Sequence, residues 1–311
     1  MQLIRRLEDY RADAPLAVAI GNFDGLHRGH AAVLARMQAM AQEQQLVPAV
    51  LTFEPHPRQF FRPQEPAFRL QTLRDKLAGL RDAGVARVFA PKFDRAFASL
   101  SADDFLNSIL RERMGVRAVI TGENFAFGAR RGGDVAMLRQ WGAQQSIATA
   151  QVPPVMAEGD VCSSTAVRTA LDAGAMAHAA ALLARPYTIS GRVRHGDKRG
   201  RALGFPTANL VPAATLKMPR YGIYVVRATV DGRTLNGVAS LGVRPTVNPT
   251  TWPQLEVFFF DYAGDLYGKQ LQVALLHHLR DEKRFDSLPA LAHQMQDDAR
   301  RAREFFSGVA A

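Results

Sequence analysis

The segment GNFDGLHRGH (21–30) has the residue types and spacing of a phosphate-binding turn. It follows a short apolar run typical of a buried strand, and a helical pattern begins within it. A strand, a glycine turn and a helix N-terminus together present backbone N–H groups to an anion. Gly21 and Gly25 allow tight turns, and Gly29 leaves room for a ligand close to the backbone. The segment therefore predicts a nucleotide site.

His27 and His30 are the side chains of this segment that could do chemistry. On a first helical turn they share one face and can hold the same phosphate groups. Adenylyl transfer needs an in-line nucleophile and a cage for the charge that develops on the α-phosphate and on the leaving pyrophosphate. Paired imidazoles at a helix N-terminus can supply that cage. A lone histidine is more often an ordinary core or surface residue, but the glycine context favours a site for this pair.

A later helix start, SSTAVR (163–168), offers a second phosphate clamp. Ser164 and Thr165 provide hydroxyls and backbone N–H groups, and Arg168, one turn further on, can bridge phosphate oxygens. Simple N-capping is the alternative explanation of the Ser-Ser-Thr run. Capping and binding do not exclude each other.

The last third of the chain has no GxxxxGK[ST] sequence, so a P-loop ATPase is not supported. A glycine-punctuated arc that ends in GFPTAN (204–209) can instead fold backbone N–H groups over a nucleotide. Thr207 and Asn209 point to the same side of an extended chain and can hold Mg²⁺ and phosphate oxygens. A turn between two barrel strands would explain the glycines alone. The candidate nucleotide-binding residues of this arc are Gly196, Gly200, Gly204, Pro206 and Thr207.

Glu256 lies inside the otherwise apolar run LEVFFF. A charge is costly in such a strand unless it is used or paired. A structural salt bridge is the simpler explanation of this residue, and a catalytic role is the other.

GNFDGLHRGH and SSTAVR must be positioned by the elements around them. In this part of the chain, strand patterns alternate with helix patterns. Short apolar runs such as LAVAIGNF, VPAVLTF and VRAVITG are separated by helical periodicities, including one over 101–114 and one near 134–145, and a helical pair follows over 164–183. This alternation predicts βαβ units and an open, doubly wound parallel sheet.

From Pro186 onwards the sequence pattern changes to short β-rich runs separated by turns. This pattern predicts a small antiparallel barrel. A closing amphipathic helix is predicted over about 287–306, after a Ser-Leu-Pro turn. The boundary between the two domains is predicted at 184/185, with no linker and no internal repeat.

These segments resemble a known family. GNFDGLHRGH is similar to the HxGH signature of nucleotidyltransferases, in the GxFDGxHxGH form of bacterial bifunctional riboflavin kinase/FAD synthetases. TFEPHP (52–57), GENFAFG (122–128) and SSTAVR match the same half of that family, and GFPTAN resembles the PTAN motif of riboflavin kinases. Further segments follow in the family's order, so the resemblance covers nearly the whole chain.

The resemblance implies two activities. Residues 1–184 would form a Rossmann-like α/β FMN adenylyltransferase domain, and residues 185–311 a β-barrel riboflavin kinase domain with a C-terminal helix. Riboflavin, FMN and ATP would be substrates, FAD the final product, and Mg²⁺ the metal, held by Thr207 and Asn209.

The resemblance also implies roles for individual residues. Glu256 would be the general base that accepts the proton of the flavin 5′-hydroxyl. The catalytic set of the first site would be His27, His30, Ser164 and Arg168, and its nucleotide contacts would be Gly21, Phe23, Asp24, Gly25, Gly29 and Thr165. The flavin would be bordered by Pro55, His56, Pro57, Asn124, Phe125 and Phe127, although buried packing is the alternative for both phenylalanines.

The net charge of +10 and the pI near 10.2 favour a polyanionic partner, which can be a nucleotide substrate or a nucleic acid. HxGH-type sites also occur in aminoacyl-tRNA synthetases, and the barrel could then bind RNA as an OB-like module. PTAN with a later Glu256 has no role in RNA binding, and no RNP-like, KH-type or zinc-finger pattern occurs. A cofactor-binding protein without chemistry is a third alternative, which two complete motif sets disfavour.

The chain has no run of eighteen or more apolar residues, no secretory pattern at its start and one cysteine, Cys162. We therefore expect a cytoplasmic enzyme with no membrane or nucleic-acid partner. The sequence leaves the oligomeric state open.

Overall fold

The computed structural model describes residues 1–195, 205–243 and 252–308, which divide into two compact units. Unit 1 comprises Met1–Pro66 and Leu73–Ser163, and unit 2 comprises Ala67–Thr72 with the described part of Ser164–Ala311. This division groups residues by their contacts. The boundary at 184/185 concerns where each activity resides, and it stays a prediction.

Unit 1 is built around a parallel sheet. Its strands are β1 (Gln2–Ile4), β2 (Leu16–Ile20), β3 (Val47–Leu51), β4 (Arg87–Phe89), β5 (Val116–Gly122) and β6 (Ala148–Val152). Their order is β1-β4-β3-β2-β5-β6, and each neighbouring pair is parallel. The predicted open parallel sheet is confirmed. The edge strand β1 is too short for its periodicity to be visible in the sequence.

The central strand β2 is buried on both faces, as is typical of parallel sheets covered by helices. Leu16, Val18 and Ile20 belong to the core on one face. Ala17 and Ala19 face the other core, where they pack with α1 (Arg28–Glu43). This helix buries Val33, Leu34, Met37, Met40 and Ala41, at the spacing expected of an amphipathic helix.

The other helices of unit 1 follow the predicted alternation. They are α2 (Pro57–Phe61), α3 (Leu73–Asp82), α4 (Arg95–Ala98), α5 (Ala102–Asp104) and α6 (Val135–Gln145). The helix predicted over 101–114 is present, but α5 continues as a π-helix over Phe105–Arg113. A small hairpin, β7 (Met156–Ala157) and β8 (Asp160–Val161), completes the unit.

Unit 2 contains the predicted antiparallel barrel, which is confirmed. Its strands are β9 (Tyr187–Arg194), β10 (Ala208–Leu210), β11 (Gly222–Val230), β12 (Arg233–Val243), β13 (Pro253–Phe259) and β14 (Gln270–Arg280). They close in the order β10-β13-β12-β11-β14-β9. Along β13 buried and half-buried residues alternate, so Leu255, Val257 and Phe259 point inwards.

The helices of unit 2 are α7 (Ser164–Ala173), α8 (Met176–Leu183) and α9 (Leu288–Ser307). The closing helix α9 begins and ends within a residue of the predicted bounds. The Ser287 hydroxyl caps it by accepting the Ala290 N–H at 3.3 Å. A partly buried ion pair between Arg280 and Asp298 ties α9 to β14. Among the described residues, no helix is long and apolar enough to cross a membrane.

Candidate functional site

The histidine motif, defined as residues 21–30, follows the central strand β2. On one side of β2 lie β3, β4 and β1, and on the other side lie β5 and β6. The strand order therefore reverses at β2, and open α/β sheets bind ligands outside the carboxyl ends of strands at such a point. Gly21 directly follows β2, so the motif lies where this rule places a ligand.

The backbone of the histidine motif turns through the left-handed region several times. Gly25 has φ of 91°, which favours glycine, and Phe23 and Leu26 have φ of 48° and 46°. Two non-glycine residues held in this region indicate a backbone that its surroundings determine strongly. The Phe23 ring is 1% exposed, so a nucleotide would reach the backbone of this residue rather than its side chain.

His27 is the N-cap of α1 rather than part of its first turn. Its Nδ1 accepts the His30 backbone N–H at 3.4 Å. A neutral imidazole whose Nδ1 accepts carries its proton on Nε2. His27 is therefore arranged to donate from Nε2.

His30 stacks on His27 with a ring-centroid distance of 3.7 Å, so the structure brings the two predicted residues together. Its Nδ1 is buried and has no hydrogen-bond partner among the described residues. Burial, the neighbouring His27 and the charge of Lys76 hold the pKa of His30 well below its usual value of 6.5. At neutral pH His30 is therefore uncharged and can contribute one N–H donor.

Packing requires a glycine at position 29, in addition to the close ligand approach that the sequence predicts there. A Cβ at this position would lie 3.0 Å from the Cys162 carbonyl oxygen and 3.1 Å from the His27 ring. The histidine ring therefore occupies space that a side chain would fill. Cys162 itself is buried, and burial raises the pKa of its thiol.

Lys76 is a polar residue at this site that sequence reasoning missed, and Thr52, the first residue of TFEPHP, was given no role there. The Lys76 ammonium, on α3, donates to the Asn22 carbonyl oxygen at 2.7 Å and lies 3.4 Å from the Thr52 hydroxyl. Both side chains are buried. The sequence could have indicated a buried lysine here, because Lys76 lies one turn before the buried Leu80 on the apolar face of a helix.

The predicted flavin residues after β3 begin a short helix. His56 caps α2 by accepting the Arg58 N–H at 3.1 Å, and Pro57 is its first residue. The flanking phenylalanines contact one another: the Phe53 and Phe60 rings lie 5.6 Å and 5.5 Å from the Phe93 ring. Contacting phenylalanine rings thus flank the Pro55-His56-Pro57 segment.

The predicted flavin residues after β5 differ in exposure. Asn124 is exposed, and Phe125 is half-buried. Phe127 is 6% exposed and packs against Phe105 at 5.5 Å. The two rings of the motif are stacked at 5.4 Å, so Phe125 is the one with access to a ligand.

The predicted second clamp lies at the start of α7 in unit 2. Ser164 is the first residue of this helix, and Thr165 is exposed. The Arg168 guanidinium donates from Nε to the Phe68 carbonyl oxygen at 2.7 Å and lies over the Phe68 ring. Arg168 is thus held by the short segment Ala67–Thr72, which belongs to the same unit.

In the barrel, Asn209 and Glu256 are direct partners across β10 and β13. Cross-strand partners have their side chains on the same side of a sheet. The Asn209 amide also donates to the Thr207 carbonyl oxygen at 3.3 Å. The structure therefore brings PTAN and Glu256 together. The predicted Gly196, Gly200 and Gly204 lie outside the described residues.

Two hollows adjoin this strand pair. The barrel cavity, of about 490 Å³, is lined by Thr207 and Asn209 and by the inward residues Val257 and Phe259. The aromatic groove, of about 590 Å³, lies between β13 and α9. Its lining residues are Phe205, Phe258, Gln296, Ala299, Arg300, Arg303, Glu304 and Ser307. Phe258 is two residues from Glu256, so both side chains lie on the same face of β13, and Asn209, the cross-strand partner of Glu256, shares that face and also lines the barrel cavity.

The chain matches two family models, one described as FAD synthetase over residues 9–166 and one described as riboflavin kinase over residues 183–306. Among curated proteins, the bifunctional riboflavin kinase/FMN adenylyltransferase of Pseudomonas fluorescens is 42% identical over 97% of each chain. The protein of that name from Bacillus subtilis (strain 168) is 33% identical, over 95% of this chain and 94% of the relative.

A solved structure described as a macrolide-efflux protein from Streptococcus pneumoniae is similar over 97% of this chain and 98% of that chain. Its sequence is 30% identical, and the TM-score is 0.87. Both units of the fold therefore have a counterpart in a single solved chain.

Proposed function

The chain belongs to the bifunctional riboflavin kinase/FMN adenylyltransferase family, and from this premise we propose how its residues divide the two reactions. It phosphorylates riboflavin to FMN and adenylylates FMN to FAD. ATP and flavins are its substrates.

The histidine motif carries adenylyl transfer in this proposal. A phosphate oxygen of FMN attacks the α-phosphorus of ATP, the bond from that phosphorus to the β-phosphate oxygen breaks, and pyrophosphate leaves. The protein has to align the groups and stabilise the developing charge. His27, which donates from Nε2, and the uncharged His30 act as paired hydrogen-bond donors to those oxygens, and the stacking of their rings supports this role.

The remaining residues of the adenylyl-transfer site follow from the same proposal. Backbone groups of Gly21, Phe23, Asp24, Gly25 and Gly29 bind the nucleotide. Ser164, Thr165 and Arg168 belong to unit 2, where Arg168 is oriented by Phe68, and their role as a second phosphate clamp stays a prediction. The flavin lies against Pro55, His56, Pro57, Asn124 and Phe125, with Phe127 as the buried support of the Phe125 ring.

The barrel carries riboflavin phosphorylation. The register that pairs Asn209 with Glu256 is the observation that supports this assignment most strongly. ATP occupies the barrel cavity, and riboflavin places its ring system in the aromatic groove, where Phe205 and Phe258 contact each other at 4.9 Å. Glu256 then accepts the proton of the 5′-hydroxyl as that oxygen attacks the γ-phosphorus of ATP, the bond from the γ-phosphorus to the β–γ bridging oxygen breaks, and ADP leaves.

Thr207 and Asn209 are also the residues that would hold Mg²⁺. Mg²⁺ prefers oxygen ligands and is usually bound through few protein groups together with substrate phosphates. A hydroxyl and an amide at the wall of a nucleotide cavity fit that requirement. Among the described residues, no cluster of His, Cys, Asp or Glu suits a metal that needs three such ligands. When bound, the metal would neutralise charge on the phosphates.

The two reactions would divide at 184/185, with the adenylyltransferase in 1–184 and the kinase in 185–311. The matched ranges 9–166 and 183–306 support this division. The test is chromatographic analysis of products from riboflavin, ATP and Mg²⁺ with His30→Ala and Glu256→Gln. We expect His30→Ala to accumulate FMN and Glu256→Gln to make FAD only when FMN is supplied. The opposite pattern would mean that the two sites are assigned the wrong way round.

A further inference from the structure

Lys76 is a buried cation that joins three elements of unit 1. It lies on α3, is 4% exposed, and donates to the carbonyl oxygen of Asn22, inside the histidine motif. The Thr52 hydroxyl, at the end of β3, donates to the same carbonyl oxygen at 3.1 Å, and Lys76 lies 3.4 Å from that hydroxyl. The helix, the turn after β2 and the end of β3 therefore meet at one carbonyl.

Removing a charge from water costs several kcal/mol even in good surroundings, so a buried ammonium is retained where its surroundings pair or use the charge. The charge of Lys76 also reaches the catalytic pair, because it is one of the three causes that lower the pKa of His30. Both facts indicate that the charge has a use in this place.

We propose that Lys76 is a positioning residue for adenylyl transfer, which holds the turn of the histidine motif through Asn22 and supplies fixed positive charge beside the phosphate site. The proposal rests on the assignment of adenylyl transfer to His27 and His30. Because His30 is uncharged, a nearby lysine adds positive charge that a polyphosphate requires.

Loss of Lys76 disturbs the alignment of donors that act in the transition state, so kcat falls more than the KM for FMN rises. Small displacements of aligned groups can cost roughly 10²-fold in rate. The riboflavin kinase reaction, assigned to unit 2, is unaffected.

The experiment uses the full chain with Trp252→Phe, which leaves Trp141 of unit 1 as its only tryptophan. Trp141 is buried, so its emission reports folding of unit 1. Lys76→Met removes the charge, and Lys76→Arg keeps it. Arg74→Met is the matched control, because it removes a positive charge from an exposed position of the same helix.

We expect Lys76→Met to lower the kcat of adenylylation roughly 10- to 100-fold with native Trp141 emission, and Lys76→Arg to recover most of it. Arg74→Met keeps the parent kcat. In a histidine NMR titration, the pKa of His30 rises in Lys76→Met and stays unchanged in Arg74→Met. A purely structural lysine would not produce that rise.

Parent kcat in Lys76→Met would overturn the proposal. Non-native Trp141 emission in Lys76→Met, together with no recovery of activity in Lys76→Arg, would also overturn it. That result would mean that Lys76 only supports the folding of unit 1. His30→Ala, measured in parallel, separates this failure from that of the proposed site. If His30→Ala adenylylates FMN at the parent rate, the site assignment itself is wrong.

Discussion

In unit 1 the two histidines lie at the end of a parallel strand and the start of a helix, whereas in unit 2 Asn209 and Glu256 lie side by side on antiparallel strands. The first arrangement uses residues close together in the chain. The second brings together residues from distant segments, because β10 pairs with β13 in the closed barrel.

The difference determines what holds each site. The histidine pair depends on local contacts: a cap hydrogen bond, ring stacking and the absence of a side chain at Gly29. The barrel site depends on register, since a slip of one residue along β13 would turn Glu256 inwards. Substitutions that leave the backbone intact should therefore separate the two reactions cleanly.

The largest expected effect is common to both sites. Removal of Mg²⁺ with EDTA should stop both reactions, because each depends on neutralised phosphate charge. Thermal unfolding should stay at the parent temperature, since the proposed metal residues are a hydroxyl directly before β10 and an amide that the strand register already places. Full turnover of either reaction without a divalent metal would contradict the proposal for that site.

Glu256→Gln should have the next largest effect. The change preserves shape and removes the proton acceptor, which should lower FMN formation by roughly 10²- to 10⁴-fold. Conversion of supplied FMN to FAD should continue at the parent rate. Glu282→Gln, at an exposed position of the same unit, is the matched control. Parent-rate kinase activity in Glu256→Gln would remove Glu256 from the role of base.

His30→Ala should lower adenylylation of FMN by roughly 10²- to 10³-fold, the range for loss of one electrostatic donor. Riboflavin phosphorylation should persist and serves as the internal control. Steady-state measurements on one preparation, with FMN and then with riboflavin as the substrate, give the adenylylation rate and the phosphorylation rate. An unaltered rate of FAD formation in the folded variant would exclude His30 from the site.

A fragment that begins at Arg185 should phosphorylate riboflavin alone, because PTAN and Glu256 lie in the barrel. A fragment that begins at Ser164 should be more stable, since α8 buries Met176, Leu182 and Leu183. Burial of a large apolar side chain contributes about 1.5–3 kcal/mol, so a stability difference of a few kcal/mol is expected by urea unfolding. Equal stability of the two fragments would show that α7 and α8 do not support the barrel.

The smallest expected effect concerns pH. The pKa of His30 is lower in the folded protein than its ordinary value of 6.5, so the unfolded chain binds more protons in acid. The stability that His30 contributes is complete above pH 6.5 and falls as the pH decreases below it, by at most about 1.4 kcal/mol per pH unit. His30→Gln should flatten this part of the unit 1 stability profile, followed by Trp141 emission. A profile with the parent slope would contradict a buried, uncharged His30.

Much of the fold was predictable because its signals are local. Strand and helix periodicities predicted the parallel sheet, the barrel and the bounds of α9. The N-cap of α9, Ser287, is the residue at which the sequence predicts the helix to begin. The motifs also indicated the chemistry, because phosphate binding at a strand–turn–helix junction depends on contiguous residues. The placement of His27 beside His30 follows from their spacing.

Other features depended on contacts that sequence spacing does not encode. Lys76 reaches Asn22 only because α3 packs beside the turn after β2, and Glu256 meets Asn209 only through the barrel register. The grouping of α7 and α8 with unit 2 likewise reflects long-range packing. Local sequence therefore determined which elements form and which groups are chemically capable. Tertiary structure decided which distant groups meet, because register and packing are set by the whole chain.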